Sequence, residues 1–174
     1  MAGDAWIFGY GSLVWRPDFP FAERAVGHIQ GFCRRFWQGS PDHRGTHEAP
    51  GRVVTLVPEA GARCGGVAFR VLVADRDAVL ATLDERESGG FERIAVDFQF
   101  AESARSAAGA LVYVAAHGNP NFLGHAPTPA IASQIRACAG KSGTNTDYAL
   151  RLADSLRALG LHDDHVFEIA ELVR

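Results

Sequence analysis

The chain has 174 residues, enough for one domain with a substantial core and too few for two ordinary ones. At 47% hydrophobic and 21% charged its composition is globular, which excludes disorder and a coiled coil. A net charge of −3 gives no global electrostatic ground for a nucleic-acid or anionic-membrane partner, and no apolar run approaches the ~20 residues that cross a bilayer.

Met1-Ala2-Gly3-Asp4 lacks the positive start and apolar stretch of a signal peptide. Trp6-Ile7-Phe8-Gly9-Tyr10 reads as a short apolar strand running into a turn at Gly11-Ser12. Val26 to Trp37 is extended and ends in the aromatic and basic cluster Arg34-Arg35-Phe36-Trp37, and Gly39 to Gly51 is a polar, Gly/Pro-rich loop. Strands are expected at Arg52–Val57 and Gly66–Val73. Asp75–Glu87 has helical spacing, with Val79, Leu80 and Leu83 on one side and a stop at Gly89-Gly90.

Arg93–Phe100 alternates, with Ile94, Val96, Phe98 and Phe100 on one face, and Gly109–Ala115 is another buried-type strand. Thr128-Pro129 opens a helix by cap and first-turn proline, and Gly140 closes it. Thr144-x-x-Asp147 resembles a capping box ahead of Tyr148–Leu159, and a last helix covers Asp164–Val173. Strands fill the first two-thirds and helices close the chain, so an α+β fold in one domain over residues 1–174 is expected.

Several local patterns bear on chemistry. Gly9-Tyr10-Gly11-Ser12-Leu13 is no dinucleotide fingerprint, because Val14 stands where the third glycine is required, and no nucleophile elbow, because Ser12 lacks its flanking glycines. Two readings stay open: a cradle of exposed backbone N–H groups for a carboxylate or oxyanion, or a tight turn that sends Tyr10 and Trp15 into the core. His43 and His47 have i, i+4 spacing, but Gly45 and Ala49-Pro50-Gly51 argue against the helix a zinc pair needs. His162-Asp163-Asp164-His165 reads as helix capping in a solvated turn. Gly140-Lys141-Ser142 imitates the end of a P-loop, but Ile135 stands where the first glycine belongs.

Asp84-Glu85-Arg86-Glu87 puts acids at a helix C-terminus, against the macrodipole, just before two glycines. A local misfit of that kind marks either a solvated face or a functional carboxylate. Cys33, Cys64 and Cys138 are widely spaced with no CxxC pair, so small buried roles and a reducing cytosol are expected.

Taken together, the blocks resemble the ChaC-type γ-glutamylcyclotransferases. They are Trp6-Ile7-Phe8-Gly9-Tyr10-Gly11-Ser12-Leu13-Val14-Trp15, Arg34 to Gly45, Pro50 to Leu56, Leu83 to Phe91, Asn119 to Gly124 and Gly140 to Tyr148, in order from Trp6 to about Val173. The resemblance implies a small mixed β-barrel with flanking helices that acts on reduced glutathione without a cofactor, releasing 5-oxoproline and cysteinylglycine; the lack of a convincing ligand set adds the expectation that no metal is needed. It further implies that Ile7, Phe8, Gly9, Tyr10, Gly11 and Ser12 form the loop holding the γ-glutamyl group, and that Glu87 is the catalytic carboxylate. Phe91 stands where the family often has Tyr.

That chemistry suits the residues. The α-amine attacks its own γ-carbonyl, so the protein needs no nucleophile of its own, only orientation, oxyanion donors and a proton shuttle. Arg34, Arg35, Arg44 and Arg52 lie in nineteen residues holding only Asp42 and Glu48 as acids, and arginine suits the carboxylates of glutathione. Two alternatives remain at this stage: a cyclotransferase for other γ-glutamyl amino acids or amines, and a silent γ-glutamyl-peptide binding module.

Overall fold

The computed structural model describes residues 3–115 and 118–174; Met1 and Ala2, the first half of the stretch read above for signal-peptide character, lie outside these residues. The apolar run near the N-terminus forms β1 (Ala5–Gly9), which is covered on both faces. Phe8 points into the main core beside Phe98, whereas Ile7 points into a second cluster with Phe69, Val71 and Leu83. A strand buried on both sides needs no polar alternation, which is why its sequence is continuously apolar.

Two long strands, β2 (Glu23–Ser40) and β3 (Gly51–Val71), pair antiparallel from Glu23↔Arg70 to Ser40↔Gly51. The two strands expected between Arg52 and Val73 are therefore one. Pro58 does not end it, because the pairing is locally irregular there, between Gln30 and Phe32, and a bulge tolerates proline. After α1 (Val73–Arg86) come β4 (Phe91–Phe100) and β5 (Ser106–Ala115). The order β1-β3-β2-β4-β5 closes into a barrel through one parallel contact, Ile7↔Leu111. The α+β mixed barrel is thus as expected.

Three helices follow: α2 (Thr128–Ala137), α3 (Asn145–Ala158) and α4 (Asp164–Val173). Their apolar faces, including Ile131, Ile135, Leu152, Leu156 and Ile169, join Phe36, Val54 and Leu56 of the barrel in one core. Thr144 caps α3 by accepting from the Asp147 N–H at 3.1 Å, as the capping pattern predicts. Thr128 is already helical instead of capping α2, and the helix ends at Ala137, short of Gly140. Gly140 instead belongs to a small hairpin, β6 (Ala139–Gly140) and β7 (Gly143–Thr144), that approaches the 39–51 loop through Lys141 N–H to Asp42 O and Ser142 N–H to His43 O.

The helical layer is fastened to β2 by two buried polar contacts. Arg34 is only 1% exposed; its Nε donates to Tyr10 O at 2.8 Å, its Nη1 to Asp163 Oδ2 at 2.6 Å, and its Nη2 to Gly65 O. Asp163 also caps α4 through the Val166 N–H. Two residues on, His165 Nε2 accepts from the Phe36 N–H at 3.0 Å, so this histidine belongs to the packing and not to a solvated turn. Burial, with Arg35 and Arg34 nearby and Asp163 opposing, lowers its pKa to about 4.

Replacing Arg34 by Met strands a carboxylate and two carbonyls, and should cost about 3–5 kcal/mol in urea denaturation. Protonation of His165 destroys its acceptor. An unfolded histidine binds its proton near pH 6.5 and the folded one near 4, so stability is full above pH 6.5 and falls as pH drops toward 4. His165→Gln, which retains an acceptor without titrating, should flatten that part of the melting-temperature profile.

Candidate active site

Where β1 ends, the chain turns at Tyr10-Gly11 into a single 3₁₀ turn over Ser12–Val14. Gly11 is its N-cap, so the Ser12 and Leu13 N–H groups have no acceptor within the turn. The conformation does not use positive φ: Gly11 has φ −115°. A side chain at this position would instead be crowded. A Cβ there would lie 3.2 Å from Tyr148 Oη and 3.3 Å from Val54 Cγ2.

This turn lines a cavity of about 550 Å³, the size class of small-ligand sites. Phe8, Gly9, Tyr10, Gly11 and Ser12 all line it; Ile7 does not, because strand alternation turns it into the second core. Tyr10 is buried in the core, as the tight-turn reading expects, and still borders the cavity, its hydroxyl donating to Tyr113 O at 2.7 Å.

Glu87 reaches the same cavity from α1. It is the C-cap of that helix, its N–H donating to Leu83 O at 2.8 Å, and its side chain is 20% exposed. Burial raises its pKa from the ordinary glutamate value, and the Arg86 guanidinium at 3.6 Å partly opposes the shift. Its charge is felt by Tyr10 and Tyr148, whose hydroxyls burial already pushes up, that of Tyr148 to about 12. The phenols therefore stay protonated beside the carboxylate.

Two sets of contacts hold Glu87 in place. On one side Arg86 Nη2 donates to Ser12 Oγ at 2.8 Å, and its Nη1 to Arg16 O at 3.1 Å, which ties the end of α1 to the 3₁₀ turn. On the other, Gly89 O accepts from Gln38 Nε2 and from Asn121 Nδ2, while Gln38 and Asn119 exchange amide hydrogen bonds. Gly90, at φ +103°, packs so tightly on Asn119 that a Cβ would sit 2.8 Å from its Oδ1. Gln38 is fully buried. A network saturated in this way fixes the peptide that follows Glu87.

Of the four clustered arginines only Arg44 lines the cavity. Arg34 is the structural fork already described, Arg35 lies beside Glu59 at 3.3 Å, and Arg52 spends its guanidinium on Gln134, Phe36 O and Gly124 O. Arg16 and Arg86 line the cavity although the arginine stretch did not point to them. Tyr148 is the further residue that motif reading left without a role. The capping pattern at Thr144 could have found it, since it puts Tyr148 on the first turn of α3, facing Gly11.

His43 and His47 both border the cavity, but among the described residues no group of three His, Cys, Asp or Glu is placed to hold a metal. The His43 ring is engaged with Ser142 Oγ at 2.8 Å. Cys64 and Cys138 are buried and Cys33 is half-buried, and burial raises all three thiols, Cys33 to about 12, away from thiolate character.

The chain has clear relatives. The sequence profile described as ChaC-like protein matches residues 5–174. A zebrafish (Danio rerio) protein named glutathione-specific γ-glutamylcyclotransferase 1 is 48% identical over 94% of this chain and 86% of its own length. Its human namesake is 45% identical over 97% of this chain and 78% of its own. A crystal structure of a yeast γ-glutamylcyclotransferase specific to glutathione superimposes with a TM-score of 0.91 at 25% identity, covering 98% of this chain and 96% of that one.

If the Gly11 turn is a binding surface, Gly11→Val should lower kcat/KM by about 10²-fold in a protein folded by circular dichroism. Ser12→Ala, which loses one of several Arg86 acceptors, should cost about tenfold or less. Equal, small effects would remove the turn from the site.

Proposed function

The chain belongs to the ChaC-like family, and we propose that it acts as a glutathione-specific γ-glutamylcyclotransferase with Glu87 as its proton shuttle. The observation that carries this reading is the placing of a carboxylate of raised pKa in the wall of the cavity that the Tyr10-Gly11-Ser12 turn also lines. The names of the relatives and the match to the yeast enzyme support the substrate.

The reaction is intramolecular. The γ-glutamyl α-amine forms a C–N bond to its own γ-carbonyl carbon, and the C–N bond to cysteinylglycine breaks. Over the cycle the attacking nitrogen, starting as ammonium, gives up two protons and the leaving nitrogen takes up two, so none is consumed. Glu87 accepts each from the first and delivers it to the second. Its raised pKa narrows the gap to the amine near 8 and eases both transfers. The Ser12 and Leu13 N–H groups provide donors for the oxyanion that develops on the γ-carbonyl oxygen. The turn and the Tyr148 ring shape the cavity so that amine and carbonyl meet. No step draws on a cofactor or metal.

We read residues 1–174 as one domain that works in a reducing cytoplasm, which the three unpaired thiols favour. No helix among the described residues is long and apolar enough to cross a membrane.

Release of 5-oxoproline from glutathione, compared with γ-glutamyl amino acids and amines, tests the assignment; turnover of the latter alone would reassign the substrate. Glu87→Gln should lose about 10²-fold or more in kcat. At neutral pH it should also be at least as stable as the parent, because it removes a buried charge. In the parent, kcat/KM should fall as pH drops through the raised Glu87 pKa, since only the carboxylate accepts a proton. That acid limb should be absent from the residual rate of Glu87→Gln.

A further inference from the structure

One cation on the cavity wall is placed differently from the rest. The Arg44 side chain is 9% exposed, its guanidinium lies 5.5 Å from the centre of the Tyr148 ring, and its Nη1 donates to Thr144 O at 3.0 Å. Its backbone N–H is held by Ser40 Oγ at 3.0 Å. The guanidinium is thus fixed at its own position, yet it lacks a committed counterion. The nearest carboxylate, Asp147, stands 3.8 Å away and is taken by Arg151 at 3.0 Å.

The other edge of the guanidinium has no protein acceptor among the described residues. No buried side-chain nitrogen or oxygen among them lacks a partner, so the unbonded Nε and Nη2 are accessible to solvent, and Arg44 lines the cavity. The remaining cavity cations differ. Lys141 sits on Asp42 at 3.1 Å, Arg16 on Asp18 at 2.9 Å, and Arg86 on Ser12 and two carbonyls. A desolvated guanidinium with a vacant edge is a receptor for a planar anion.

Position indicates which anion. The hydroxyl end of Tyr148 touches the Gly11 turn and its ring face carries Arg44, so one aromatic ring separates the two. Two residues of extended peptide span at most ~7 Å, and the turn and Arg44 line the same cavity. A tripeptide whose γ-glutamyl end lies at the turn would bring its C-terminal carboxylate to the guanidinium. Beside it stand His43 and Ser142, joined at 2.8 Å, with the Ser142 hydroxyl on the cavity wall.

We propose that Arg44 is the specificity-determining residue for the far end of the substrate, its open guanidinium edge receiving the C-terminal glycine carboxylate of glutathione. This rests on the cyclotransferase reading and adds to it a reason for tripeptide preference. A γ-glutamyl amine has no carboxylate to offer, and a γ-glutamyl amino acid carries its own one residue too near the turn. The contact forms in the ground state and persists through the reaction, so it acts through substrate binding.

The test pairs a change in the substrate with a change in the enzyme. The parent protein should use glutathione 10- to 100-fold better, in kcat/KM, than glutathione carrying a C-terminal carboxamide. Arg44→Gln should lose about the same factor on glutathione and no longer distinguish the two compounds, while Arg44→Lys should keep part of the preference. Equal use of both compounds by the parent would overturn the assignment without any variant. So would an Arg44→Gln protein that loses the same factor on both, which would make Arg44 a support for Tyr148 alone. Failure of the parent to release 5-oxoproline from glutathione would instead overturn the cyclotransferase reading, and this inference with it.

Discussion

A fully buried guanidinium, that of Arg34, joins the parts on which everything else rests. From β2 it reaches the Tyr10 carbonyl at the mouth of the site, the Gly65 carbonyl on β3 and the Asp163 carboxylate that caps α4. Taking such a charge out of water is costly, and only complete hydrogen bonding offsets it. The fork therefore demands that barrel, turn and helical layer keep one relative arrangement. Net stability from the ion pair is modest by this argument; its effect is on specificity of packing, and the Tyr10-Gly11 turn inherits that rigidity.

Opposite the turn, Glu87 is maintained against its local environment. An acid at a helix C-terminus opposes the macrodipole, and burial disfavours its charge further. The surrounding structure compensates. Arg86 holds the carboxylate's own helix end to Ser12 and adds a counter-charge, and the Gln38, Asn119 and Asn121 amides clamp the Gly89 peptide behind it. These amides come from two distant stretches of the chain and do not themselves line the cavity, yet they hold Gly89, which does, two residues beyond Glu87. The division is physical: rigidity comes from neutral, saturated amides, so the field at Glu87 is left to Arg86 and to burial.

Relatives with the same architecture place the chain in its family, but the side-chain contacts say how this sequence builds the site. The dense arginine stretch from Arg34 to Arg52 illustrates the difference. Read by composition it is a carboxylate-binding surface. In the fold Arg34 and Arg35 are consecutive on β2, Arg52 stands on β3 and Arg44 on the loop between them, and of the four only Arg44 meets the cavity. Charge density along a chain is no guide to charge density in space when the strand period sends neighbours to opposite faces.

What the sequence determined by itself is local. The apolar run of β1 and its glycine turn, the α1 periodicity ending at Glu87, the Thr144 cap of α3 and the bounds of α4 all follow from short-range spacing and capping chemistry, which act within a few residues. The misfit of Glu87 with its helix end was legible for the same reason. Tertiary structure alone decided that β3 is continuous, that Ile7 faces away from the cavity, that Arg34 and Arg52 are spent on carbonyls and side-chain partners, and that His165 accepts a backbone hydrogen bond. Each of these depends on partners elsewhere in the chain, up to 129 residues distant, through strand pairing or helix docking. Local propensity carries no information about such a partner, because the energy of the contact exists only once the barrel has closed.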